Sequence, residues 1–197
     1  MTMKNKFLVI IALLLISSTQ SGKHLLANEG NSLSRNVEFG NYLSYKGVYP
    51  EAFIKYEYKG VIPVYSKPDG GVLIAKLRNN PDKELYYNVF LLKKNRNKFL
   101  TAIFDANDED KFIAYGWVDR QYLGIFVKNF SQQLILFNKP DYNSDKLFTI
   151  YEYYPEVVQI TDFSGLWLKV DFYLDKQHIY GWIPKEMQCA NVFTTCC

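Results

Sequence analysis

Few residues in this 197-residue chain could do chemistry, and their spacing excludes most of it. Three cysteines, Cys189, Cys196 and Cys197, crowd the C-terminus. They lack the C-x-x-C spacing of a metal site, and neither histidine, His24 or His178, lies close to them in sequence. An odd count leaves one thiol over or pairs two chains. A bridge from Cys189 to Cys196 or Cys197 would pin the tail to the last strand; the alternative is a loose tail whose thiols do little. A Cys–His peptidase places its nucleophile at a helix start, and Cys189 has no helical pattern before it to lower its pKa. The acidic run Asp105-Ala106-Asn107-Asp108-Glu109-Asp110 begins like a calcium loop. Asp110, however, stands where that loop needs glycine and Gly116 where it needs a bidentate glutamate, so a solvated hairpin turn is expected. No phosphate loop, nucleophile elbow or zinc motif occurs. The sequence therefore predicts a non-enzymatic protein with no catalytic residue, metal or cofactor.

The elements that position the remaining candidates come in two copies. Val64-Tyr65-Ser66-Lys67-Pro68-Asp69 returns as Leu136-Phe137-Asn138-Lys139-Pro140-Asp141, and Tyr115-Gly116-Trp117-Val118 returns as Tyr180-Gly181-Trp182-Ile183. The opening motifs are offset by 72 positions (68 to 140) and the closing ones by 65 (117 to 182). A paired start and stop at a near-constant period marks two copies of one small folding unit. Units of this size are marginal alone and must use their aromatic residues heavily or pack together. The aromatic share of 17%, including 16 tyrosines, suits half-buried pleated surfaces.

In the first copy, strands are expected over residues 62–65, 72–77, 85–92, 98–104 and 112–118. In the second they are expected over 134–137, 147–153, 156–161, 166–172 and 179–183. Asp162-Phe163-Ser164-Gly165 reads as a tight hairpin turn. Residues 52–61 alternate Ile54, Tyr56, Tyr58 against Lys55, Glu57, Lys59, a further strand with one buried face. The aromatic segment 37–49 is expected to pack on the first unit. Residues 124–132 read as a short linker whose Ile125, Phe126 and Val127 hold the units together. In each closing motif the glycine should admit a neighbouring strand, Val118 and Ile183 should be core, and Trp117 and Trp182 should point the other way. Those two tryptophans are either a stacking platform for a ligand or packing within and between the units.

Lys67-Pro68-Asp69 with Gly116-Trp117-Val118, and Lys139-Pro140-Asp141 with Trp167-Leu168-Lys169-Val170 and Gly181-Trp182-Ile183, resemble tandem bacterial Src homology 3-like domains over about residues 60–190. The resemblance implies an all-β chain of two small five-stranded barrels. The first copy departs from the pattern where Phe99-Leu100-Thr101-Ala102 replaces the Trp-containing stretch. Such domains are often found outside the cytoplasm, with peptidoglycan peptides or protein segments as ligands. By position the resemblance places Tyr65, Trp117 and Tyr122, with Asp119, in the ligand groove of the first copy. It places Phe137, Trp182 and Pro184, with Met187, in that of the second. Each groove is only partly kept, so weak or altered recognition of Pro-rich peptides is expected.

Lys4 and Lys6 precede an unbroken apolar run from Phe7 to Ile16, too short to span a bilayer at ~20 helical residues. Small residues follow, with cleavage expected after Ser21 or alternatively after Ala27. Removing this segment takes Lys4 and Lys6 with it, so the formal charge of +3 falls toward neutrality. No clustered basic face suggests nucleic acid. The expected organisation is a signal peptide (1–21), a leader and N-terminal extension (22–51), two Src homology 3-like domains (52–124 and 125–190) and a Cys-containing tail (191–197). The expected protein is an extracytoplasmic binding module for a cell-wall peptide or an envelope protein partner, with no membrane span once the signal is removed. An inhibitor or immunity-type protein that blocks a secreted toxin or hydrolase, using the turn 105–110, is the alternative.

Overall fold

Short runs of β-branched and aromatic residues broken by turn formers dictate strands joined by tight connections. The computed structural model of the protein describes residues 41–109, 111–127, 133–151 and 156–193. One helical turn, α1 (Tyr42–Tyr45), precedes β1 (Glu51–Ile54), β2 (Ile62–Tyr65), β3 (Leu73–Leu77), β4 (Tyr87–Asn95), β5 (Lys98–Asp105) and β6 (Phe112–Asp119). A 3-10 turn (Arg120–Tyr122) leads into β7 (Leu123–Val127). The order of strands then repeats with β8 (Leu134–Phe137), β9 (Lys146–Ile150), β10 (Val157–Ser164), β11 (Trp167–Leu174) and β12 (Gln177–Ile183), a matching 3-10 turn (Lys185–Met187) and β13 (Gln188–Cys189); a further 3-10 turn (Pro81–Lys83) lies between β3 and β4. The chain is all-β, as expected, and its strands pair antiparallel.

Hydrogen-bonded neighbours run β3-β2-β6-β5-β4-β1-β7-β10-β11-β12-β8-β9, with β13 also on β7. The sheet is open, with β3 and β9 at its edges. Adding six to every strand number of the first half reproduces the second. β2 on β6 becomes β8 on β12, and β1 between β4 and β7 becomes β7 between β10 and β13. The repeated motifs thus correspond to a repeated topology, and β7 belongs to both copies.

Two expectations fail here. Residues 123–127 are strand, not linker, so the boundary drawn between 124 and 125 falls inside β7; residues 128–132 lie outside the described residues. β7 is buried at every position, so it shows none of the alternation that marks a half-exposed strand. The strand expected over 52–61 ends at Ile54. There Lys55 N–H bonds Tyr122 O, Tyr58 N–H closes a turn on Lys55 O, and the Asn79 amide donates to both Lys55 O and Tyr58 O. A side chain has taken the carbonyls that a strand partner would need.

The main core is continuous across both copies. Ile54, Val64, Phe99 and Val118 pack in one cluster with Ile125, Leu136, Leu168 and Ile183. β1, β5 and β7 are buried on both faces because smaller clusters cover their other side. Tyr42 of α1 sits edge-on to Phe90 and Phe104, and Tyr45 stacks on Phe90. The part of the aromatic segment within the described residues thus packs on the first copy as expected; residues 37–40 lie outside them. Phe53 and Phe126 pack with Cys189 and Val192 on the other side. Polar braces join the copies along β10. Lys55 Nζ donates to Gln159 Oε1 at 2.6 Å, Gln159 Nε2 to Arg120 O at 2.6 Å, and Arg120 to Thr161 O at 2.9 Å. Lys94 pairs with Asp162 at 2.5 Å, and Phe99 meets Phe163 edge-on at 5.3 Å.

The closing glycines do what their position suggests. A Cβ on Gly116 would stand 2.7 Å from Tyr65 O and from Val64 Cγ1, and one on Gly181 2.9 Å from Leu136 Cβ. Each glycine lets the opening strand of its copy lie against the closing one. Gly116→Ala and Gly181→Ala should each destabilise the protein by about 1–3 kcal/mol through overpacking. Urea unfolding monitored by tryptophan fluorescence measures this, and unchanged midpoints would refute the close approach.

Candidate functional site

Val118 and Ile183 are buried and Trp117 and Trp182 are half-buried, so the closing strands divide their side chains as expected. Trp117 of β6 pairs with Tyr65 of β2 on one side and Leu100 of β5 on the other. Trp182 of β12 pairs with Phe137 of β8 and Lys169 of β11. Residues directly opposite in antiparallel strands share a face. The structure therefore brings Tyr65 together with Trp117, and Phe137 together with Trp182.

The register also corrects the correspondence of the middle strands. Leu100, not Thr101, stands opposite Trp117 as Lys169 does opposite Trp182. Two residues earlier, Lys98 occupies the place of Trp167. Trp167 lies edge-on to Phe137 at 5.5 Å. In the first copy, Lys98 Nζ lies 5.3 Å from the centroid of Tyr65 and donates to Pro68 O at 2.6 Å. An aromatic pair in one copy is a cation on an aromatic face in the other.

Each platform extends differently. Tyr122 ends the 3-10 turn before β7 and meets Tyr58 edge-on at 4.9 Å. Burial, then the hydrogen bond with Tyr58, pushes the Tyr122 phenol up. Asp119 caps that turn by accepting from Gln121 N–H, and Pro184 holds the same position at the matching turn. Pro184 is buried and Phe137 is 4% exposed, whereas Tyr65, Trp117, Tyr122 and Trp182 are half-buried. The second platform is carried outward by Tyr142, which is 58% exposed and edge-on to Trp167 at 4.7 Å. Its hydroxyl donates to Glu186 at 2.7 Å. Tyr142, Glu186 and Lys98 escaped the sequence reading; the available signal was the placement of Tyr142 just after the Pro140-Asp141 turn.

Within the acidic turn, Asp105 is already engaged. Burial would raise the Asp105 carboxyl, but Lys111 at 2.9 Å and the Asn107 N–H bring it below its ordinary value. Asp110 lies outside the described residues. Among the described residues, no group of three or more His, Cys, Asp or Glu is placed to hold a metal ion. Cys189 is buried and disulfide-bonded; Cys196 and Cys197 lie outside the described residues.

No protein-family model matches the chain, and no curated protein matches it. The site is therefore read from its own geometry.

The Glu186 carboxylate, with some burial, pushes the Tyr142 phenol up to about 12. The bond to Glu186 needs the protonated phenol, so its stabilising contribution is complete below the ordinary tyrosine pKa of ~10 and is lost as pH rises through about 12. In a phenolate absorbance titration, Glu186→Gln should move one tyrosine transition from near 12 toward ~10. An unchanged titration would mean that the bond is not formed in solution.

Proposed function

We propose that this protein is an exported, non-enzymatic binding module built of two Src homology 3-like units, recognising peptide segments of the cell envelope through its two aromatic platforms. The observation that carries the reading is the recurrence of one platform at equivalent positions of both copies, one of them ending in the exposed, hydrogen-bonded Tyr142. Rigid aromatic rings flanked by a few fixed polar groups offer contact area at low entropic cost. The order of strands and 3-10 turn in each copy supports a small barrel-type unit as the building block.

The two copies differ in what they offer. The second presents Trp167, Trp182 and Tyr142 beside Glu186; the first presents Tyr65 and Trp117 beside Lys98. The ligand preference of the two platforms therefore differs in charge, with a cation favoured near Glu186 and an acceptor near Lys98. Export is supported by the Lys4–Ile16 pattern and by the disulfide at Cys189, since disulfides persist in oxidising compartments. The alternative, an inhibitor acting through residues 105–110, draws less support because Asp105 is engaged by Lys111.

Pull-down on purified peptidoglycan sacculi tests the reading. Binding is expected, and Trp167→Ala or Tyr142→Ala should weaken it by about tenfold or more, as for aromatic hot spots. Co-purification with one stoichiometric protein partner and no retention on sacculi would favour the inhibitor reading. Micromolar binding of unmodified Pro-rich peptides would contradict the altered specificity.

A further inference from the structure

A cavity of about 340 Å³ lies between the segment Tyr42–Glu51 and the tail Lys185–Phe193. None of the platform residues named above lines it. Asn88 of β4, Ala106 and Glu109 of the acidic turn and Leu166 complete its wall, so five separate stretches of chain converge there. The volume is within the range of small-molecule sites, roughly 300–1,000 Å³.

Its wall carries both signs of charge. The Tyr42 hydroxyl donates to Glu51 Oε2 at 3.3 Å. Burial, then Glu51 and Glu109, push this phenol well above its ordinary range, so it remains protonated and a hydrogen-bond donor. Lys46 Nζ lies 5.3 Å from the centroid of the Tyr42 ring. Lys185 approaches from the tail, its Nζ 3.8 Å from where a Cβ on Gly47 would stand. Gln188 already bonds Leu166 O and Ile183 O. Asn88 differs: its Oδ1 is buried and has no partner among the described residues.

A simple cation would satisfy Glu51 and Glu109 but leave the lysines unmatched, and a simple anion would do the reverse. A molecule carrying both charges meets all of them. We propose that this cavity is a binding site for a small zwitterion, a free amino acid or a peptide end that presents an ammonium group and a carboxylate together. The ammonium sits toward Glu51 and Glu109, and the carboxylate toward Lys46 and Lys185. This site is independent of the aromatic platforms.

Isothermal titration calorimetry of the full protein tests it, with D-alanine, L-lysine, LL- and DD-alanylalanine as probes. At least one is expected to bind with a sub-millimolar Kd, and its N-acetyl and C-amide derivatives about tenfold or more weakly. Glu109→Gln and Lys185→Gln, both at exposed positions, should each weaken that probe by about tenfold with an unchanged circular dichroism spectrum. Trp167→Ala should leave it unaffected. The proposal is overturned if no probe binds at about 10 mM, if the blocked derivatives bind as well as the parent, or if both charge variants retain full affinity. Those results would leave retention on sacculi untouched, just as loss of that retention would leave zwitterion binding in place.

Discussion

Five buried residues, Leu123 to Val127, hold this fold together. β10 bonds along one edge of β7 through Val157, Val158 and Gln159. Along the other edge β1 bonds Leu123 and Gly124, and β13 bonds Phe126 and Val127. A single strand therefore closes the first copy and opens the second. Every main-chain group it buries must find a partner, and three strands from distant parts of the sequence supply them. The two copies cannot be separated by cutting a linker, because the last strand of one is the first strand of the other. The continuous core and the braces from Lys55, Lys94 and Arg120 to β10 follow from that sharing.

Sharing a strand also frees the copies to differ elsewhere. Strand order and the 3-10 turn after the closing strand are the same, and so are the close approaches of Gly116 and Gly181. The surfaces are not. Lys98 takes the position of Trp167, Asp119 that of Pro184, and Tyr122 that of Met187. The features that hold strands together sit on the buried face, where a change in volume is costly. Apart from the buried Pro184, the positions that vary are half-buried, where exchanging a ring for a cation alters what is presented without altering the pairing.

The sequence made much of this legible, for identifiable reasons. Strands β2 to β6 and β8 to β12 stand within a few residues of their expected places, because turn formers bound them and most of them alternate. β7 was hidden for the opposite reason: Leu-Gly-Ile-Phe-Val is buried on both faces and carries no period. The strand assigned to residues 52–61 looked too long because Tyr56 and Tyr58 continue the alternation, while Asn79, far along the chain, captures the carbonyls that end it. The alignment of Phe99 with Trp167 was one residue out, a slip that only the ladder to Trp117 and Trp182 resolves. The zwitterionic cavity was beyond reach, since Lys46, Asn88, Glu109 and Lys185 share no motif and meet only after the tail folds back beside α1.

β13 stands on β7 as β7 stands on β1, so the architecture contains a rule for its own extension. A third copy would need only to begin on β13, as the second begins on β7, and the ribbon could lengthen by one module at a time. β13 itself is two residues long, and its Cys189 is committed to a covalent crosslink. The oxidised sulfur therefore ties down the very strand on which a further module would have to begin.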